Sequence, residues 1–103
     1  MTWGLRPPFN AMTYSVKTVH AVKNAPRGLG NTLGRLAVSL DFSVVRIAKA
    51  TGASRQTAYN WMLGGEVMGV YQPKVERVIE ILKHAKSADT AWGQMCKEFN
   101  LQA

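Results

Sequence analysis

Acidic side chains are scarce in this chain of 103 residues, which has six Asp and Glu against thirteen Lys and Arg and a net charge of +7. The shortage is uneven along the chain. Residues 1–60 hold eight basic side chains and one acidic one, Asp41, whereas residues 61–103 hold five of each. A strongly basic half is typical of a protein that binds a polyanion, and charge alone suits DNA, RNA or an anionic membrane surface.

Cysteine and histidine are also scarce. A single cysteine, Cys96, excludes an intrachain disulfide, and nothing indicates an oxidising compartment. Together with two isolated histidines, His20 and His84, it cannot form a structural zinc site. We expect these three side chains to lie in different elements without an orienting carboxylate, so the sequence predicts no catalytic residue, no metal, no cofactor and no enzyme.

Long apolar runs are absent as well. No run approaches the roughly 18 apolar residues that a membrane span requires. The first ten residues, MTWGLRPPFN, have neither the basic start nor the apolar centre of a signal peptide. We therefore expect a soluble, cytoplasmic protein without a membrane partner.

The most informative stretch that is present runs from Val44 to Trp61, VVRIAKATGASRQTAYNW. It has the pattern of two short helices joined by a tight turn, a helix-turn-helix. Counted from Val44, a small residue (Ala48) is fifth, Gly52 is ninth, Ala58 is fifteenth and Trp61 is eighteenth. Gly52 can adopt the left-handed conformation that ends the first helix. The other three are expected to lie where the two helices pack together.

The second helix of the motif divides into two faces at roughly 100° per residue. Ser54 is expected to cap it. Packing residues lie on one side, and on the other lie Arg55, Gln56, Tyr59 and Asn60. Arg, Gln and Asn are the side chains that read base edges in the major groove. The alternative is an ordinary solvated helix face.

On these residues, the segment from about Leu33 to Lys83 resembles a Cro/CI-type (lambda-repressor-like) helix-turn-helix domain of phage regulators. The resemblance covers about half of the chain. It implies an all-α fold, a compact bundle of four to five helices, and a homodimer on double-stranded DNA. Base-reading positions of the family match Arg55, Gln56 and Asn60, with Tyr59 on the same face. Phosphate-contacting positions of the family fall near Ser54, Thr57 and the end of the preceding helix. The expected phosphate contacts in this chain are Ser43, Arg46, Lys49, Ser54 and Thr57.

One departure from the family concerns its first motif position. Many members have a glutamine there that holds a phosphate, whereas this chain has Val44. Ser43 or Arg46 would have to replace that contact.

The residues before the motif are expected to form an extended basic arm, partly irregular, over residues 1–30. The segment from Tyr14 to Val22 alternates weakly and fits a short strand or an extended arm. Lys17, Lys23 and Arg27 are possible arm contacts to DNA, with Arg27 entering the minor groove. The alternative is a solvated tail.

Two further regions complete the chain. The DNA-binding domain is expected over residues 31–86. Asn31 is expected to cap its first helix, and Pro73 to begin its last helix. Ser43 is expected to cap the helix between them whose inward side chains are Val44, Val45, Ile47 and Ala48. Residues 87–103 are expected to form a terminal helix, begun by Ser87 or Asp89. Its apolar side chains either cover the core or form a dimer contact; they are Trp92, Met95 and Phe99.

Between the arm and the motif, GLGNTLG has the glycines of a nucleotide-binding loop. It lacks the strand and the βαβ unit that such a loop requires. We therefore expect no nucleotide cofactor.

These patterns together predict a sequence-specific transcriptional regulator, a repressor when it covers a promoter, in the cytoplasm of a bacterial host cell or associated with the nucleoid. The surface from Glu66 to Gln72 would be available to RNA polymerase or another protein. Two alternatives stay open. One is a DNA-organising or packaging adaptor with low sequence preference. The other is a protein-binding antitoxin or inhibitor on the same fold, with Trp3, Tyr71 and Trp92 as the expected exposed contacts.

Overall fold

The computed structural model describes residues 13–101, which form six α-helices and no β-strand. The helices are α1 (Val16–Asn24), α2 (Leu29–Leu40), α3 (Val44–Thr51), α4 (Arg55–Met62), α5 (Gln72–His84) and α6 (Ala88–Glu98). The predicted all-α class is confirmed for these residues, with one helix more than expected. The first twelve residues of the predicted arm lie outside the described part.

One hydrophobic core runs through all six helices. Helix α2 lies at its centre and packs against α1, α4 and α5, while α6 packs against α5 and α3. Tyr14 and Val22 from the first helical segment belong to this core, as do Trp92 and Met95 from the last helix. The helix-turn-helix is therefore held from both sides by the segments that flank it.

The expectation that the segment from Tyr14 to Val22 forms a short strand or an extended arm is wrong, because most of this segment lies in helix α1. Ser15 caps the helix, its Oγ accepting a hydrogen bond from the Thr18 amide at 3.1 Å. Val22 is fully buried against the core. At the other end, Arg35 Nη2 donates to the Lys23 carbonyl at 2.5 Å, which satisfies one of the free carbonyls of the last turn.

Helix α2 begins earlier than the sequence predicted. Its N-cap is Gly28, which makes no side-chain capping bond, and Asn31 lies inside the helix and is 1% exposed. Asn31 is therefore not a cap. The predicted end near Asp41 is confirmed, because Asp41 has φ 58° and the Phe42 amide donates back to the Ala37 carbonyl at 2.7 Å.

The later helices follow the predicted pattern closely. Ser43 caps α3, Pro73 lies in the first turn of α5, and Ser87 rather than Asp89 caps α6. Val45 is an exception: it was expected to face inward and is 38% exposed. Among residues 13–101, no helix has both the length and the apolar character needed to cross a bilayer.

Candidate nucleic-acid interface

The turn between α3 and α4 ends one helix and begins the next within a few residues. Gly52 adopts the left-handed conformation, with φ 82°, and its amide donates to the Ala48 carbonyl at 2.8 Å. A Cβ atom on Gly52 would meet nothing within 4 Å, so backbone conformation and not lack of space favours glycine. Ser54 caps α4, accepting from the Thr57 amide at 3.1 Å. The predicted turn and cap are confirmed.

Helix α4 has one buried side and one exposed side. Ala58 and Trp61 are buried, as expected. Arg55, Gln56 and Asn60, three of the predicted base-reading residues, are exposed together on the opposite side. The fourth, Tyr59, is half-buried and packs against the core. The exposed face therefore offers one guanidinium and two carboxamides to a partner.

The two carboxamides on this face are bonded to each other. Gln56 Nε2 donates to Asn60 Oδ1 at 3.1 Å, one helical turn apart. This bond favours one rotamer for each side chain before any partner binds. The Asn60 amide nitrogen and the Gln56 amide oxygen are not used in it, so a donor and an acceptor can still meet a base edge.

The predicted phosphate-contacting hydroxyls lie at the N-termini of α3 and α4. Ser43 Oγ accepts from the Arg46 amide at 3.2 Å and so caps α3. Ser54 Oγ donates to Thr57 Oγ1 at 2.9 Å, which leaves the Thr57 hydroxyl proton able to bond an anion. Lys49 is exposed on α3. These groups lie at the starts of α3 and α4 and along α3.

Arg46 has an intramolecular partner that the sequence reading missed. Its Nη1 lies 3.1 Å from Asp89 Oδ1, and its guanidinium carbon lies 5.5 Å from the centre of the Trp92 ring. The arginine thus joins α3 to α6, and part of its charge is already neutralised. The separation of 43 residues between Arg46 and Asp89 explains why no local pattern indicates the pair.

Of the three predicted arm contacts, Arg27 follows a proline that lies against the residue positions just after α4. A Cβ atom on Gly64, just after α4, would lie 2.8 Å from Pro26 Cδ, and one on Gly30 would lie 2.7 Å from Trp61 Cβ. Arg27 is exposed between these two contacts. Lys17 and Lys23 are exposed on α1. The described part of the arm therefore packs on the domain and brings one cation to the C-terminal end of α4.

The glycine-rich segment GLGNTLG proves to be a helix-packing surface. Gly30 and Gly34 lie one turn apart on α2, and a Cβ on Gly34 would lie 2.8 Å from Met62 Cβ. Between them, Asn31 Nδ2 donates to the Met62 carbonyl at 2.8 Å and to the Val22 carbonyl at 2.9 Å. The sequence signal that could have indicated this packing is the four-residue spacing of two glycines on one helix face.

Tyr14 contributes a buried polar group near the end of α2. Its hydroxyl donates to the Phe42 carbonyl at 2.5 Å. Burial, with smaller contributions from Tyr59 and Asp41, raises the pKa of Tyr14 well above its usual value. The hydroxyl therefore stays protonated at physiological pH and anchors the start of α1 to the segment before α3.

Comparison with known proteins gives no relative: the chain matches no family model, and no curated protein or solved structure is significantly similar to it.

Two observations bear on catalytic chemistry. Among residues 13–101, no three His, Cys, Asp or Glu side chains are grouped to hold a metal ion. The expectation that no carboxylate orients a histidine is wrong for His84, whose Nε2 lies 3.2 Å from Glu80 Oε1, one turn back on α5. Both side chains are exposed, as in an ordinary surface pair.

Proposed function

We propose that the protein binds double-stranded DNA as a sequence-specific transcriptional regulator of the Cro/CI type, with α4 in the major groove. One observation carries this proposal: Arg55, Gln56 and Asn60 lie exposed on one face of α4, whose other face is fixed by Ala58 and Trp61. Arg reads guanine and the two amides read adenine. Occupancy of a promoter in the bacterial cytoplasm would then repress transcription.

Affinity in this proposal comes from cations around α4. Lys49 on α3 is exposed, and so is Arg27, which follows Pro26 at the C-terminal end of α4. Cations that neutralise phosphates release counterions, so binding should weaken steeply as salt rises. Arg46, which is bonded to Asp89, is expected to contribute less than Lys49.

Charge reversal at two matched lysines tests where DNA binds. Lys49→Glu on α3 and Lys83→Glu on α5 change the net charge equally, and both lysines are exposed. Affinity for a duplex is measured by fluorescence anisotropy at several salt concentrations. We expect Lys49→Glu to weaken binding and flatten the salt dependence, and Lys83→Glu to do so far less. Equal losses would mean that net charge alone drives binding and would contradict this interface.

The regulator is proposed to act as a homodimer, because one helix-turn-helix module contacts little DNA and two half-sites increase specificity. Trp92 and Met95, expected to cover the core or to form a dimer contact, are buried in the core of their own chain, and Phe99 is half-buried against it. Three exposed apolar side chains follow α4 in the chain, Leu63, Met68 and Val70. Sedimentation equilibrium of the protein and of Met68→Ser/Val70→Ser tests both the dimer and this contact.

A second candidate function is protein binding, as in an antitoxin, an inhibitor or a regulator that contacts RNA polymerase. The same apolar loop favours it, since Met68 and Val70 are 68% and 77% exposed. The aromatic residues expected to be exposed for this role fit less well: Trp92 is buried, and the half-buried Tyr71 packs against Trp61 with its ring tilted by 60° and the ring centres 5.3 Å apart. Trp3 lies outside the described residues. Failure to bind any duplex at moderate salt would favour this function.

The DNA-organising or packaging adaptor remains the alternative within DNA binding. It would use the same cations without base reading. A steep salt dependence combined with nearly equal affinity for all sequences would identify it.

A further inference from the structure

The buried carboxamide of Asn31 forms the centre of a hydrogen-bond network that reaches the end of α4. Its Nδ2 donates to the Met62 carbonyl at 2.8 Å and to the Val22 carbonyl at 2.9 Å. Its Oδ1 accepts from Arg35 Nε at 2.8 Å, and Arg35 Nη2 donates to the Lys23 carbonyl at 2.5 Å. One side chain, 1% exposed, thereby connects three helices.

The network joins carbonyl groups at the C-terminal ends of two helices, and the Val22 carbonyl also accepts from the Ala25 amide at 3.3 Å. Val22 and Lys23 are in the last turn of α1, and Met62 is the last residue of α4. Carbonyls in the last turn of a helix have no intrahelical partner, and leaving one buried and unpaired is costly. A carboxamide supplies two N–H donors from one nitrogen, which is the chemistry that two converging carbonyls require.

The packing around Asn31 leaves α4 little freedom to shift. On either side of it, Cβ atoms on Gly30 and Gly34 would lie 2.7 Å and 2.8 Å from the Cβ atoms of Trp61 and Met62. The close approach of the two backbones fixes the distance between α2 and α4. The hydrogen bond from Asn31 to the Met62 carbonyl restrains movement of α4 along its own axis.

Base reading depends on the position of α4 along its own axis. Asn60 and Met62 are two residues apart on α4, so a slide or rotation at Met62 moves Asn60 as well. Bidentate contacts to bases need the side chains held within about 0.5 Å of the productive geometry.

We propose that Asn31, supported by Arg35, is a positioning residue that sets the register of α4 for sequence reading. The proposal rests on the proposed DNA-binding function. It also links α1 to α4, so that the segment carrying Lys23 and α4 move as one unit.

Two variants test the network. Asn31→Asp keeps the size of the side chain and the acceptor toward Arg35, but replaces both N–H donors by an oxygen that faces two carbonyls. Arg35→Lys keeps the positive charge and loses the fork that bonds Asn31 and Lys23 together. Because its charge is unchanged, Arg35→Lys should leave salt-dependent affinity for random DNA almost unchanged.

The control is Met95→Ala, which opens a cavity in α6. Met95 is fully buried, and α6 packs against α5 and α3. This variant lowers stability without touching the Asn31 network. All four proteins are compared at a temperature at which each is folded by circular dichroism.

The first readout is the ratio of affinities for the preferred duplex, obtained by selection from a random pool, and for a scrambled duplex. We expect Asn31→Asp to lower the ratio about tenfold or more, since one lost bidentate contact has this size. Arg35→Lys should lower it in the same direction by less, and Met95→Ala should leave it unchanged. An unchanged ratio in Asn31→Asp would overturn the proposal.

The second readout does not depend on DNA. The Leu63 amide, which donates to the Tyr59 carbonyl at 3.0 Å, reports on the end of α4. In Asn31→Asp its hydrogen exchange should accelerate more than that of α5 amides, whereas in Met95→Ala the α5 amides should accelerate more. Uniform acceleration in both variants would show that Asn31 supports only global stability. If the unaltered protein prefers no duplex, the proposed function fails, and exchange alone then decides whether Asn31 fixes α4.

Discussion

Gly30 and Trp61 touch through their backbones: a Cβ atom on Gly30 would lie 2.7 Å from both the Cβ and the carbonyl oxygen of Trp61. Real Cβ atoms do not approach other atoms so closely, and here the neighbour is backbone that cannot rotate away. The contact explains why a glycine lies in the first turn of α2, where glycine would otherwise weaken the helix. It also makes the position of α4 depend on a residue 31 positions earlier in the chain.

Gly30→Ala should therefore destabilise the protein, although alanine is the better helix former. Overpacking of this kind costs about 1–3 kcal/mol in free energy of unfolding. Urea denaturation followed by circular dichroism measures it. The matched control is Gly93→Ala in α6, where a Cβ would meet nothing within 4 Å. That variant should gain up to roughly 1 kcal/mol, because only helix propensity changes. A gain in both variants would contradict the close packing of α2 on α4.

Arg55→Ala should relax sequence preference rather than remove binding. The side chain is exposed at the start of α4, and loss of a bidentate contact to guanine costs about 1–3 kcal/mol on the preferred site. Competition binding with duplexes altered one base pair at a time measures this. An equal loss on every duplex would make Arg55 a phosphate contact and would contradict its assignment as a base reader.

Tyr14→Phe should lower stability by about 1 kcal/mol, because it removes the hydroxyl that donates to the buried Phe42 carbonyl. The pH dependence gives a sharper test. The pKa of Tyr14 is raised in the folded protein, so its proton is held more tightly there than in the unfolded chain. The stability linked to this proton is present below the ordinary tyrosine pKa of about 10 and is lost as pH rises above it.

Urea denaturation between pH 8 and pH 11, in about half-unit steps around the ordinary tyrosine pKa, measures the contribution of the Tyr14 proton to the free energy of unfolding. The stability difference between the unaltered protein and Tyr14→Phe should shrink above about pH 10. Subtracting the two curves removes the contribution of lysines and of the other tyrosines. A difference that stays constant over this range would contradict a buried, protonated Tyr14.

The helix-turn-helix was predictable because its determinants are local. Ser43, Gly52 and Ser54 act on backbone groups within four residues, so their spacing alone indicates where α3 ends and α4 begins. The exposed face of α4 also follows from helical periodicity. The start of α5 at Pro73 and the apolar stripe of α5 were predictable from the local sequence as well.

Tertiary contacts account for what the sequence did not reveal. Helix α1 is rich in β-branched residues, and it is completed by packing of Val22 and by the bond from Arg35 to the Lys23 carbonyl. Asn31 has the chemistry of a helix cap, but its partners are carbonyls 9 and 31 residues away. No local pattern distinguishes a capping asparagine from a buried one that joins three helices.

Selection of bound duplexes from a random DNA pool at near-physiological salt tests the central claim, that α4 reads base sequence, most directly. We expect an enriched palindrome with half-sites about one helical turn apart. In a parallel selection, the Arg55→Ala/Gln56→Ala/Asn60→Ala variant should bind DNA and enrich no sequence. Retained binding without enrichment by the unaltered protein would contradict sequence reading and favour the DNA-organising alternative. Absence of binding would contradict a DNA partner altogether.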